Sequence, residues 1–140
     1  MLYNWAVEHP DCVGGVAGIY PVCNLLSYPG LNRAAPAYGL TPDELEAQLE
    51  DHNPVNRLAP LAQARVPIFH IQGDSDRVVP HEDNTELLVT RYRELGGPAE
   101  FELIEGQGHN MWRGWFESQA LTDFMIAQAL GERDDEAEAE

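Results

Sequence analysis

Val66-Pro67-Ile68-Phe69-His70-Ile71-Gln72-Gly73-Asp74-Ser75-Asp76-Arg77-Val78-Val79-Pro80 is the stretch that decides the fold. Its first half is a short apolar run opened by a proline, where a strand tolerates one, and it suits a strand covered on both faces of a parallel sheet. Its second half is a polar loop at that strand's carboxyl end. Upstream, Val13-Gly14-Gly15-Val16-Ala17-Gly18-Ile19-Tyr20-Pro21 is another almost continuous apolar run, whose glycines permit close helix packing. Downstream, a helix over 84–95 places Leu88, Tyr92 and Leu95 on one stripe and stops at Gly96-Gly97. Ala99-Glu100-Phe101-Glu102-Leu103-Ile104-Glu105 then alternates apolar and acidic residues, as a strand near a sheet edge does. A closing helix over 112–130 turns Phe116, Ala120, Leu121 and Phe124 inward, with Trp115 also in the core, and ends at Gly131. Strands alternating with helices predict an α/β layer of about three parallel strands.

Before this unit, residues 1–9 form a short helix with Leu2, Trp5 and Ala6 on one side, ended by His9-Pro10. No cap precedes it, so it starts in mid-turn. Residues 24–60 are an irregular excursion holding Pro29, Gly30, Pro36 and Gly39. Within it, Thr41-Pro42-Asp43-Glu44 is a strong helix start: Thr41 as cap, Pro42 at the first position, Glu44 closing a capping box. That helix turns Leu45 and Leu49 inward and serves either as a lid or as plain packing. The main unit is thus 1–131, followed by an acidic tail over 132–140 that reads as solvated and disordered.

The 140 residues have the length of one domain, 44% are hydrophobic and 23% charged, ordinary values for a soluble globular protein. The net charge of −16 is not ordinary, and only part of it lies in the tail, with six acids against one arginine. Such acidity repels nucleic acid and anionic membrane, and neither is expected as a partner. No run approaches a membrane span and no export signal opens the chain, so a cytoplasmic setting is the expectation. Cys12 and Cys23 match no zinc spacing and read as buried free thiols.

Chemistry concentrates at two loops. In open parallel sheets ligands bind beyond the carboxyl ends of the strands. Asp76 follows the second strand and His109, within Gly106-Gln107-Gly108-His109-Asn110, follows the third. One helix and one strand separate them, so the fold can bring both loops to one rim. A neutral imidazole is a suitable base for a hydroxyl, and a carboxylate on its other nitrogen fixes the tautomer. Tyr20, Asn24, Asn110, Met111 and Trp112 lie at or after strand ends and are candidates for a substrate pocket, with packing the alternative for Met111 and Trp112. His70, inside a strand, reads as a satisfied core histidine, and His81 with Glu82 as the opening of the next helix. Asp74, Asp76, His81 and His109 contain no helical ligand pair, and no metal or other cofactor is expected.

The loop Gly73-Asp74-Ser75-Asp76-Arg77-Val78-Val79-Pro80 resembles the acid loop of α/β-hydrolases, particularly the prolyl-oligopeptidase-like and dienelactone-hydrolase-like branch. Gly108-His109-Asn110 is similar to their histidine loop, and Met1 to Pro10 to the helix directly after their nucleophile turn. The resemblance covers about residues 1–130. It implies the C-terminal part of an α/β-hydrolase fold, Asp76 and His109 as two members of a Ser-His-Asp triad, Asp74 bracing its loop, and a carboxylic ester or peptide as substrate. Such an enzyme carries its serine in a Gly-x-Ser-x-Gly turn. Ser27, Ser75 and Ser118 are the chain's serines, and none sits in one. The expectation is therefore a fragment or truncated gene product, or else a split or degenerate half-domain, inactive alone. The other class of function is a non-catalytic assembly module, self-associating through the exposed strand 13–21.

Overall fold

The computed structural model describes residues 2–131. The acidic tail 132–140 lies outside the described residues, as does Met1. Three parallel strands, β1 (Val16–Ile19), β2 (Ile68–Gly73) and β3 (Ala99–Ile104), form one sheet in sequence order. The register pairs Gly18 with His70 and His70 with Phe101. The parallel α/β layer predicted from the alternation is the layer observed.

Side chains of β2 alternate between two covered faces. Ile68 points into a core with Tyr3, Ala6 and Val7 of α1 (Leu2–Glu8), Leu61 and Ala62 of α5 (Ala59–Gln63), and Leu88, Val89 and Tyr92 of α6 (Leu87–Glu94). Ile71 faces the other way, with Trp115 and with Leu121 of α7 (Gln119–Leu130). Phe69 on that same face stacks on Phe124, ring centroids 5.6 Å apart. Burying each large apolar side chain of this kind contributes about 1.5–3 kcal/mol. Gly15 lets α7 approach β1, because a Cβ there would sit 2.7 Å from Cγ of Gln128.

The excursion holds α2 (Leu31–Tyr38), α3 (Pro42–Ala47) and α4 (Leu49–His52), gathered on a small core of Leu25, Ala34, Ala35 and Leu45. Thr41 caps α3 through a complete capping box with Glu44, as its sequence requires. Hydrogen bonds from Thr41 hold the Glu44 carboxylate below its ordinary range. Leu45 is fully buried while Leu49 is half-buried.

Several inward faces differ from expectation. On α1 the buried residues are Tyr3, Ala6 and Val7, while Leu2 and Trp5 are exposed, because the Tyr3 hydroxyl is drawn to His70 at 2.5 Å. The closing helix is broken: residues 113–116 form a 3₁₀ turn, and α7 starts only where Ser118 caps the N–H of Leu121. That break buries Trp115 and Leu121, leaves Phe116 and Ala120 exposed, and half-buries Phe124. The first strand is shorter than 13–21, and only Val16 in it is fully buried, since β1 lies at the sheet edge. Leu95 turns outward where α6 ends and Gly96 adopts φ +81°. Both cysteines are free, Cys23 buried but Cys12 exposed on the turn after α1.

Candidate active site

The site is built on the carboxyl ends of β2 and β3. Gly73 ends β2 where the histidine loop crosses over it: a Cβ at Gly73 would meet the Gln107 carbonyl oxygen at 1.9 Å. Only glycine allows that crossing. The two loops are then tied by the Ser75 N–H to the Gln107 carbonyl (3.0 Å) and the Asp74 N–H to the Ile104 carbonyl (3.2 Å). The Asp74 carboxylate accepts from the Gly106 N–H and from the Ser75 hydroxyl, each at 2.8 Å, so it braces both loops.

Asp76 is buried, and both oxygens of its carboxylate are engaged. Oδ1 accepts from the backbone N–H groups of Val78 and Val79, both at 2.9 Å. Oδ2 accepts from Nδ1 of His109 at 2.9 Å. The aspartate side chain is fully shielded, whereas the His109 side chain is 31% exposed. A carboxylate cannot donate, so Nδ1 carries the proton and Nε2 is the basic nitrogen. Nε2 has no hydrogen-bond partner among the described residues.

The imidazole is fixed from its sides as well. The Tyr20 ring lies against it, centroids 4.3 Å apart. Tyr20 reaches that place by adopting φ +36° just after β1, a left-handed conformation costing a non-glycine residue about 1–2 kcal/mol. Trp115 in turn sets its edge against Tyr20 at 5.6 Å and donates from Nε1 to the Asn110 carbonyl at 3.0 Å. The Asn110 side chain accepts from the Trp112 N–H at 3.0 Å, which closes the turn that follows His109.

The structure thus brings Asp76, His109, Tyr20, Asn110 and Met111 to one rim, with Met111 sulfur 3.8 Å from the Tyr20 hydroxyl. Trp112 lies just beyond, packed on Gly114 and edge-on to Trp115, beside a cavity of about 350 Å³ lined by Ile71, Glu102 and Ile104. Asn24 is placed differently: it is buried in an amide network in which its Oδ1 accepts from Asn53 Nδ2 at 3.1 Å. Asn84 completes that network, accepting from the N–H groups of Cys23 and Asn24 and donating to Ser27 Oγ and the Pro80 carbonyl. The base of the excursion is thereby bolted to the exit of the acid loop. His70 is a satisfied core histidine, between the hydroxyls of Tyr3 (2.5 Å) and Thr85 (3.2 Å), and burial pushes its pKa down to about 3. Burial also raises the Tyr3 phenol and the Cys23 thiol well above their ordinary values.

Sequence reading passed over Gln72 and Gly73. Gln72 is fully buried; its Nε2 donates to the Val79 carbonyl at 2.5 Å and lies 3.5 Å from Asp76 Oδ2. Its Oε1 has no partner among the described residues. A polar side chain closing an apolar strand next to a glycine was the one available signal.

No protein-family model and no curated protein sequence matches the chain. Solved structures do. A puromycin hydrolase is similar over 91% of this chain and 20% of its own, with TM-score 0.66 and 22% identity. A truncated carbohydrate esterase from gut microbiota is similar over 84% of this chain and 43% of its own, at TM-score 0.62 and 26% identity. An S-formylglutathione hydrolase from Agrobacterium tumefaciens is similar over 91% and 44%, at TM-score 0.58 and 16% identity. The chain spans about a fifth to under a half of the length of these proteins. All are α/β-hydrolases, and residues 2–131 form part of an α/β-hydrolase fold.

Proposed function

We propose that this chain supplies the general base, His109, and its orienting acid, Asp76, to a serine hydrolase acting on carboxylic esters or peptides. One observation carries the reading: the 2.9 Å bond that fixes His109 Nδ1 on a buried carboxylate and leaves Nε2 unclaimed among the described residues. In such a site Nε2 takes the proton of a serine hydroxyl as the oxygen attacks the carbonyl carbon. The imidazolium then returns that proton to the leaving group, and Asp76 stabilises the charge meanwhile. The serine and the donors for the oxyanion come from a segment outside this chain. Tyr20, Met111 and Trp112 border the rim where substrate would lie, and no cofactor is required. The esterase and hydrolase names among the structural neighbours support this reaction class.

The test is hydrolysis of p-nitrophenyl acetate by the chain alone and with a polypeptide carrying the serine-bearing half of an α/β-hydrolase. The expected result is no turnover alone, and restored turnover that His109→Ala lowers by about 100- to 10,000-fold. Covalent labelling of a serine in the isolated chain by a fluorophosphonate, or restored turnover indifferent to His109→Ala, overturns it.

A second reading is a non-catalytic half-domain that assembles through its open strand edge. It is favoured by β1, which among the described residues is paired on one side only, and by Met125 beside Gly14, Gly15 and Ala17 in an open groove.

A further inference from the structure

We infer that Gln72 is the positioning residue of the Asp76–His109 pair, an inference that rests on the reading of His109 as a general base. Gln72 lies one residue before the glycine at which the two loops cross, with its side chain behind the acid loop rather than in solvent. Val79 is gripped twice: its N–H donates to Asp76 Oδ1 at 2.9 Å and its carbonyl accepts from Gln72 Nε2 at 2.5 Å. The same Nε2 lies 3.5 Å from Asp76 Oδ2, the oxygen that accepts the hydrogen bond from His109 Nδ1–H. Asp76, Val79 and Gln72 therefore form a closed ring, and the orientation of Oδ2 is set from behind by a neutral amide.

Two facts separate this arrangement from ordinary core packing. The amide cannot be turned over, because Oε1 would then face the Val79 carbonyl and the Asp76 carboxylate, two acceptors against an acceptor. In the orientation that remains, Oε1 is buried without a partner among the described residues. A methionine or leucine of similar volume would leave no orphaned acceptor there, so packing alone gives no reason for a glutamine. What the amide supplies, and an apolar side chain does not, is a fixed donor for the carbonyl of Val79 and for the carboxylate. A neutral donor also adds no charge to the pair, so it aims Asp76 without competing with His109 as a cation would.

The experiment is nuclear magnetic resonance on the intact chain, following the His109 ring and the Gln72 side-chain amide through the histidine titration. In the parent chain the Gln72 Nε2 protons should shift with the same midpoint as His109, because both groups address one carboxylate oxygen. In Gln72→Met the His109 Nδ1 proton signal should broaden or vanish and the titration midpoint should move, while circular dichroism stays that of the parent. Leu61→Ala, a buried change on α5 that touches neither loop, should lower Tm and leave the His109 signal in place. A Gln72 amide blind to the His109 titration overturns the inference even where Gln72→Met fails to fold. So does a Gln72→Met chain whose His109 signal and midpoint match the parent. These readouts need no turnover: a failed hydrolysis test with the coupling intact rejects the general-base reading and leaves the positioning ring standing.

Discussion

At the scale of single residues, Gly73 decides whether Asp76 and His109 meet at all. Replacing it with alanine drives a methyl group into the backbone of Gln107, which cannot swing aside as a side-chain tip could. The histidine loop must lift, and the bonds from Ser75 N–H to Gln107 and from His109 to Asp76 lengthen together. Gly73→Ala should therefore cost about 1–3 kcal/mol, the usual range for overpacking, and erase the His109 Nδ1 proton signal. Gly14→Ala is the matched comparison, since its Cβ would meet only the Gln128 carbonyl at an ordinary 3.5 Å. It should stay within about 0.5 kcal/mol in urea unfolding. Equal losses for the two variants would remove Gly73 from the argument. Asp76 and His109 were legible in the sequence because strand-end position and residue type announce them. Gly73 and Gln72 were not, because their roles depend on which residue of β3 and its loop lies beside them. Only the register Gly73 to Ile104 reveals that.

At the scale of elements, the buried seam from Tyr3 through His70 to Thr85 joins α1, β2 and the segment that leads into α6. Its strength depends on pH, and the sign follows from the displaced pKa. The folded value of His70, about 3, lies below the ordinary value near 6.5. As pH falls through 6.5 the unfolded chain takes up this proton and the folded chain does not. The stability linked to His70 is thus complete above 6.5 and declines by about 1.4 kcal/mol per pH unit toward 3. Urea midpoints measured between about pH 7 and 5 should fall for the parent and fall less for His70→Gln. Identical slopes would show that His70 is not the titrating group. Strands and helices were themselves legible because continuous apolar runs and capping signals are local. The faces of α1 and α7 were not: periodicity shows that Leu2, Trp5 and Phe116 are apolar, not what lies over them. These three residues stand exposed, Leu2 and Trp5 on α1 and Phe116 on the turn before α7.

At the scale of the whole molecule, the two edges of the sheet differ in kind. The β3 edge carries exposed Glu100 and Glu102, and charges of this sort discourage strand addition. The β1 edge, Val16-Ala17-Gly18-Ile19, carries no charge, and Met125 of α7 stands exposed at its flank. Edge-to-edge pairing should therefore run through β1. The net charge of −16 opposes any such meeting of two copies, because both carry the same sign. Salt shortens the reach of that repulsion, from about 30 Å at 0.01 M to about 3 Å at 1 M, while leaving apolar burial in force. Association should accordingly strengthen as salt is raised, the reverse of an interface held by ion pairs. Analytical ultracentrifugation over a concentration series at both salt levels reads this directly. Met125→Lys places a charge at the flank of β1 on a residue already exposed, so it should weaken association with little effect on monomer stability. A chain that stays monomeric at every concentration and salt level, or a dimer indifferent to Met125→Lys, would remove β1 as the assembly edge.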